Sequence, residues 1–589
     1  MSYDAHVERL PRFLFFVLSA VIKGDESMRE QQEQKRFSVY ERESALEKMA
    51  GEQLDLLVIG GGITGAGIAL DAAAKGLKIG LIEMQDFAGG TSSRSTKLVH
   101  GGLRYLKQFE IGVVAEVGKE RAIVYENGPH VTTPEWMLLP LYAGGTFGPF
   151  STSIGLRVYD FLAGVKKGER RSMLSVEQTL AKEPLLKRDG LKGGGYYVEY
   201  RTDDARLTIE VMKKARELGA LAVNYAKAEQ LLYDNNKKLT GVQVKDLTSD
   251  KTYELHATKI INAAGPWVDT IRELDGSKKG KMLRLTKGVH LVFDQSRFPL
   301  QQAVYFDIPD GRMAFAIPRE GKTYFGTTDT NYTGDTVNPM VTAEDRSYLL
   351  TAASNIFPSL QLTDSDIESS WAGLRPLIHE EGKSPSEISR KDELFVSDSG
   401  LISIAGGKLT GYRKMAENVV NKTLEILAAE GRAIRAANVS TSRIPISGGE
   451  FGGSSNMAAY MDMKIEEGLL HGLSKQDAAV LTHRYGTNID AVYSLAEEAI
   501  AWGKGYQLSA VQAIMLKYSL LYEMIVQPDD YFIRRTGDMF FRIEEVEAWK
   551  EPVLQAMAAE LSWSNEQLQQ YSMELDRKIG EAKKAHIDH

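Results

Sequence analysis

The 589-residue chain contains no cysteine. That absence excludes disulfides, thiolate metal sites, a cysteine nucleophile and a redox-active dithiol, so any redox chemistry must be carried by a bound cofactor. It does not fix a compartment, and the cytoplasmic side is the default expectation. Excess positive charge is also lacking. The formal net charge is -8 and the pI is near 5.8, which argues against a general nucleic-acid binder but leaves room for a local basic site for a small anion. No segment reaches the roughly eighteen apolar residues that would span a bilayer. The nearest candidate, Phe13 to Ile22, is preceded by Arg9 and Arg12 and followed by Lys23. It resembles the hydrophobic part of a signal peptide, yet no small-residue cleavage site follows. Two readings stand for it: a loosely held extension, or upstream translation before a start at Met28, with a slight preference for the second. There is no internal repeat and no low-complexity tract.

What is present is ordinary for a globular protein, with 43% hydrophobic and 25% charged residues. The length is too great for one core. The chain is organised around Leu54 to Glu83. Asp55 to Ile59 is a short apolar run suited to a buried parallel strand, and it leads into Gly60-Gly61-Gly62-Ile63-Thr64-Gly65, a G-x-G-x-x-G pattern. A helix over Ala66 to Lys75 and a strand over Lys78 to Ile82 ending at Glu83 complete a β-α-β unit. Each part has a task in dinucleotide binding. Gly60 permits the tight turn, Gly62 lets the backbone approach a pyrophosphate, and Gly65 lets helix and strand pack closely. The helix N-terminus offers free N–H groups and partial positive charge to the phosphates. Glu83 stands where an acid can hydrogen-bond a ribose hydroxyl. Spacing alone does not distinguish NAD from FAD.

Beyond this unit, Gly89 to Lys97 contains Thr91, Ser92 and Ser93, small hydroxylated residues suited either to wrapping phosphates or to a polar surface loop. Trp136 to Tyr142, Phe147 to Phe150 and Ile154 to Leu162 interleave aromatic and aliphatic residues; core packing is the more frequent cause of such a patch, and an interface or membrane contact the other. Lys259 to Gly265 is a second buried strand ending in a glycine turn. Runs at His290–Phe293, Ala303–Phe306, Met313–Ile317 and Thr323–Thr327 alternate like antiparallel sheet. Leu401 to Ala405 is a third buried strand, feeding Gly406-Gly407 and then a helix from Lys414. The domain division expected is an extension over 1–53, a nucleotide domain interleaved with a substrate domain over 54–436, and a helical domain over 437–589. The substrate portions fall at approximately 112–200 and 280–400. In the helical part Asp529, Asp530, Arg534 and Arg535 form a mixed charge cluster, usually a solvated or structural network.

Three glycine turns, at Gly60 to Gly65, at Gly265 and at Gly406 to Arg413, therefore converge at the strand ends beside one ligand. With His100-Gly-Gly-Leu-Arg104-Tyr105, Gly326-Thr-Thr-Asp329 and Gly373-Leu-Arg375-Pro376 they resemble the FAD-dependent glycerol-3-phosphate dehydrogenases over nearly the whole chain from Leu54. Lys75 stands where many members carry Arg and is expected on the helix exterior. The resemblance implies an α/β fold: a glutathione-reductase-type FAD-binding domain, a D-amino-acid-oxidase-like antiparallel β substrate domain and a C-terminal α-helical domain. It implies oxidation of glycerol 3-phosphate to dihydroxyacetone phosphate, with electrons passed through FAD to a membrane quinone. The rival within the fold is an oxidase of the same substrate that yields hydrogen peroxide.

On the same footing, His290 is expected as the catalytic histidine with Asp329 orienting it, and Arg375 polarises the carbon-2 oxygen. Arg104, Tyr105, Arg390 and Lys408 hold the phosphate, with Lys408 touching the flavin as the alternative. FAD contacts are expected from Gly60, Gly62, Gly65, Glu83, Thr91, Ser92, Ser93, His100, Gly265, Gly406, Gly407, Leu409 and Thr410. No metal and no nucleic acid are expected. The protein is expected in the cytoplasm, peripheral on the inner face of the cell membrane through Trp136, Phe147 and Phe150, and a homodimer is left open.

Overall fold

The computed structural model describes residues 36–100, 111–145, 170–308, 310–380, 392–432 and 434–586. Arg104, Tyr105, Arg390, Phe147, Phe150 and the 13–22 run lie outside these residues. In chain order, the strands that position the site are β1 (Leu54–Ile59), β2 (Ile79–Ile82), β3 (Thr132–Tyr142), β4 (Leu191–Thr202), β5 (Leu221–Val223), β6 (Thr252–Asn262), β7 (Lys281–Asp294), β8 (Ala303–Asp307), β9 (Met313–Arg319), β10 (Lys322–Gly326), β11 (Ile367–Glu380) and β12 (Ile402–Ala405). The helices are α1 (Ile63–Ala74), α2 (Asp204–Glu217) and α3 (Tyr412–Ala429).

The first sheet carries β12, β6, β1, β2 and β5 side by side and parallel. Such strands are covered on both faces, which is why Leu56, Leu57, Val58 and Ile261 are wholly buried and read as continuous apolar runs. Helix α1 has almost no exposed side and is built from Ala, Gly, Ile and Leu. Its small residues let neighbours approach: a Cβ on Gly67 would lie 3.0 Å from the Tyr412 ring and 3.1 Å from Ala416 Cβ. Lys75, at the end of α1, is not on the exterior. It is buried, and its ammonium reaches Asp71 at 2.5 Å and Asn421 of α3 at 2.8 Å. A lysine whose charge is met by a carboxylate and an amide is retained inside because removing either partner would leave an unpaired buried charge.

The second sheet has ten strands and contains β11, β7, β10, β9, β8, β3 and β4 in spatial sequence. Pairing is antiparallel except where β8 meets β3. Trp136, on β3, is half-buried and stacked on Tyr196 at 4.5 Å and 12°, so it belongs to the sheet rather than to an exposed aromatic surface. The helices after residue 457 share one apolar core with this sheet. Phe540 and Phe541 press on Trp371 of β11, and Phe541 also packs against Tyr324 of β10.

The charge cluster read from Asp529 to Arg535 is not solvated. Arg535 donates to both oxygens of Asp86 (2.7 and 2.9 Å), Arg534 Nε reaches Asp86 at 2.5 Å, and Arg534 Nη2 reaches Asp530 at 2.6 Å. The helical region is thereby pinned to the loop that follows β2. The two guanidinium groups hold the Asp86 carboxyl below the usual range, at about 2, against the opposing effect of its burial.

Candidate active site

The turn after β1 has the geometry that the glycine spacing calls for. Gly60 has φ +115°, and a Cβ there would sit 2.5 Å from the Ala263 carbonyl oxygen at the end of β6. A Cβ on Gly65 would fall 1.9 Å from the Gly60 carbonyl oxygen. Both positions exclude any side chain. Gly62, the residue before α1, is roomier: its Cβ would meet only the Ser92 hydroxyl, at 3.1 Å. Glu83 closes β2 and folds back on the turn, accepting from Gly61 N–H (2.6 Å) and Gln85 N–H (2.8 Å). Burial pushes its carboxyl up while these two amides pull it down. Beside it lies a cleft of about 400 Å³ lined by Gly60, Glu83, Ala264 and Trp267 at the strand ends. Gly265 turns at this edge with φ +54°.

Residues Thr91, Ser92 and Ser93 form a short 3-10 turn across the start of α1. Ser92 accepts the Ile63 N–H at 2.9 Å, and Thr91 donates to the Leu374 carbonyl of β11 at 2.7 Å. The Ser93 hydroxyl is buried with no protein partner. A buried hydroxyl left unpaired is costly and calls for an explanation. Gly406 and Gly407 both have positive φ, and Leu409 and Thr410 continue as a 3-10 turn into α3. Thr410 and His100 are joined twice: the threonine hydroxyl accepts from His100 N–H and donates to its carbonyl, each at 3.1 Å. The His100 ring meets Phe315 edge-on, and burial, then Lys408 and Arg121, hold its imidazole down to about 3.

The second sheet offers one face to this loop. Register places Tyr305, Phe315, Gly326, His290 and Trp371 in a single row across β8, β9, β10, β7 and β11. Along β7 and β11 the same face carries Gly288 opposite Gly373, then Thr286 opposite Arg375. The glycines are clearances. A Cβ on Gly288 would lie 2.5 Å from Arg375 Nη2, one on Gly326 would lie 2.4 Å from the His290 ring, and one on Gly373 would lie 2.2 Å from the Arg94 carbonyl. Arg375 is half-exposed and donates to the Thr327 hydroxyl (2.9 Å) and the Thr328 carbonyl (3.1 Å), with Asp329 Oδ1 at 3.5 Å. His290 is buried, stacked on Trp371 at 4.8 Å and 13°, with Nε2 3.1 Å from the Thr96 hydroxyl and Nδ1 buried without a partner. Burial, then the Arg375 and Lys97 charges, hold its imidazole neutral, well below the ordinary histidine range.

Of the residues singled out from the sequence, Arg375, Asp329 and His290 share this face, with Asp329 beside Arg375 rather than beside the histidine. His100 and Lys408 stand at its Phe315 end. Thr96, Lys97, Thr327 and Trp371 were not singled out, although each lies within or next to a quoted motif. Gly288 and Gly373, as glycines inside strands, were the readable hint that something bulky crosses the sheet there.

The family model described as FAD dependent oxidoreductase matches residues 55–413, and that of the C-terminal domain of alpha-glycerophosphate oxidase matches residues 439–568. An aerobic glycerol-3-phosphate dehydrogenase of Bacillus subtilis is 59% identical over 547 residues, 93% of this chain and 98% of that protein. The chain belongs to the FAD-dependent glycerol-3-phosphate dehydrogenases. A relative of the same name from Staphylococcus haemolyticus is 56% identical over the same share of both chains. The X-ray structure of the glycerol-3-phosphate dehydrogenase from Bacillus halodurans complexed with FAD has a TM-score of 0.82 at 50% identity and covers 94% of this chain and 100% of that one. An L-alpha-glycerophosphate oxidase from Mycoplasma pneumoniae, at 18% identity and a TM-score of 0.51, shares the fold. The cofactor of this dehydrogenase family member is FAD. The excluded side chains at Gly60 and Gly65, the strand-end cleft and the unpaired Ser93 hydroxyl all fit such a group.

Proposed function

We propose that the protein oxidises sn-glycerol 3-phosphate to dihydroxyacetone phosphate. The observation that carries this reading is the placing of a half-exposed guanidinium, Arg375, and a buried neutral imidazole, His290, on one sheet face turned toward the Thr91–Lys97 loop. Bound FAD supplies the hydride acceptor, which a chain without cysteine cannot supply from its own side chains. Gly60, Gly62, Gly65, Glu83, Gly265 and Thr91 to Ser93 hold its nucleotide end, while His100, Gly406, Gly407, Leu409 and Thr410 flank its ring end. His290 Nε2, in contact with the Thr96 hydroxyl, takes the proton of the carbon-2 hydroxyl. In the neutral tautomer that carries its proton on Nδ1, the Nε2 lone pair is available at working pH. Arg375 faces the oxygen that gives up this proton and stabilises the negative charge developing there, and Asp329 and Thr327 hold its fork in place. Lys408, with Arg104, Tyr105 and Arg390, binds the phosphate dianion by charge-assisted hydrogen bonds.

Electrons then pass to a membrane quinone, the protein resting on the inner face of the membrane as a peripheral, cytoplasmic-side enzyme. No helix among the described residues is long and apolar enough to cross a membrane, which supports surface contact as the mode of reaching a lipid-soluble acceptor. The test is anaerobic mixing with glycerol 3-phosphate while following flavin absorbance. Bleaching with stoichiometric dihydroxyacetone phosphate is expected, and a flavin that stays oxidised overturns the substrate. Under air, turnover with a soluble quinone analogue should far exceed hydrogen peroxide release. One peroxide per product would make the protein an oxidase instead.

A further inference from the structure

Behind the His290 ring lies a buried ion pair that has no part in the reaction scheme above. Asp204 is wholly buried in the first turn of α2. Its Oδ2 accepts from the Ser95 N–H (3.0 Å) and the Ser95 hydroxyl (2.7 Å), and its Oδ1 accepts from Ala205 N–H (3.0 Å) and the Lys97 ammonium (2.6 Å). Lys97 is buried as well. It donates to the Ser93 carbonyl (3.0 Å) and lies over the rings of Trp371 (5.4 Å) and Phe540 (5.6 Å). Trp371 in turn donates its indole N–H to the Ser95 carbonyl (3.2 Å) and stacks on His290. Tyr324 donates to the Thr96 carbonyl at 3.1 Å. The Ser95–Lys97 segment is thus fixed on one side by Asp204 and on the other by the Trp371–His290 stack.

Helix capping does not account for Asp204, because the neighbouring Asp203 is the N-cap and accepts the Arg206 N–H at 3.0 Å. Stability accounts for it poorly, since a buried ion pair is seldom better than apolar residues of the same volume. We propose that the Lys97–Asp204 pair positions His290 and sets its proton affinity, acting through the Trp371 indole and the Ser95–Thr96 backbone. The inference rests on the reading of His290 as the proton acceptor. The charged and titratable groups around the ring are Arg375 from β11, Tyr324 from β10 and Lys97 from the loop, with Asp204 of α2 paired to Lys97. The C-terminal helices add the uncharged Phe540 and Phe541. An ammonium over the indole on which the imidazole stacks opposes a second positive charge on that imidazole. The carboxylate paired with it acts in the opposite sense. Removing one member of the pair therefore shifts the histidine in one direction, and removing the other shifts it in the opposite direction.

The test uses the full-length, FAD-loaded enzyme with histidine carbon-labelled in the ring. The chain has 10 histidines, and the His290 signal is the one lost in His290→Gln. Lys97→Met leaves Asp204 uncompensated, so the protonation midpoint of His290 should rise by roughly one pH unit. Asp204→Asn leaves Lys97 uncompensated, and the midpoint should fall below its native value. Lys97→Arg keeps the charge and should stay near native. A base works deprotonated, so the acid limb of anaerobic flavin reduction should move to higher pH in Lys97→Met and not in Asp204→Asn. If Asp204→Asn does not fold, the contrast between Lys97→Met and Lys97→Arg decides, with Lys97→Gln in reserve for Met. A midpoint that is the same in Met and Arg variants, or that moves the same way in both charge deletions, overturns the proposal. A native flavin-reduction rate in His290→Gln would overturn the base assignment alone, because the midpoints are read independently of the rate.

Discussion

The two sheets build their halves of the site by different means. In the first sheet, the proposed cofactor site sits at the ends of parallel strands, beside glycine turns at Gly60–Gly65, Gly265 and Gly406–Gly407. In the second, the proposed substrate site sits on a face, where five strands bring Tyr305, Phe315, Gly326, His290 and Trp371 into one row. Strand-end sites are local in sequence, because one turn supplies several contacts. Face sites are not, because each strand gives one residue to a row and the register chooses which. Errors should therefore have different signatures in the two sheets: loss of cofactor in the first, loss of rate with cofactor retained in the second.

The largest effect should come from the first sheet. Gly65→Val drives a side chain into the Gly60 carbonyl, so the protein should lose FAD and fold poorly. Gly62→Val meets only a serine hydroxyl in the protein and should keep its fold while losing FAD, because the obstruction is with the pyrophosphate. Flavin absorbance with thermal melting separates them. A Gly62→Val protein with full FAD would break the assignment of this turn.

Next is Arg375→Ala in the second sheet, which should retain FAD and slow anaerobic flavin reduction by on the order of a hundredfold to a thousandfold at saturating substrate. Arg375→Lys should recover part of this, since a point charge cannot reproduce the planar fork. Stopped-flow traces decide, and a normal limiting rate with weaker binding would move Arg375 to the phosphate set.

A smaller effect sharpens how the first sheet is braced. Arg535→Ala strips two hydrogen bonds from the buried Asp86 carboxylate beside the Glu83–Ser93 loop. It should cost about 3–5 kcal/mol of stability, read from denaturant unfolding, and raise the Kd for FAD. Lowering the pH acts on the same carboxylate. Its pKa is depressed in the fold to about 2, so its contribution is intact above the unfolded value and should be lost as pH falls from about 4 toward 2.

The last concerns His130, packed against Gly448, Gly486 and Phe451, where burial first and then Lys213 and Arg206 hold it down to about 3. The unfolded chain binds a proton near 6.5 and the folded one does not, so stability should decline as pH drops below about 6.5. His130→Gln should flatten that decline by up to about 1.4 kcal/mol per pH unit without touching flavin reduction. An unchanged slope would place the acid sensitivity elsewhere.

What the sequence determined by itself was the framework of the first sheet: the buried runs of β1 and β6 and the glycines, Gly60 and Gly65, that exclude side chains. These follow from sterics within a few consecutive residues, so a linear reading reaches them. The motifs also named His290, Arg375 and Asp329. Only the tertiary structure decided that Asp329 braces Arg375 and that Trp371 backs His290. It also decided that Lys75 is buried and that Arg534 and Arg535 grip Asp86 across more than four hundred residues of chain. Those facts depend on strand register and on which charges meet in the absence of water. A charge in sequence looks solvated until its partner is brought beside it, and only the packed fold brings the two together.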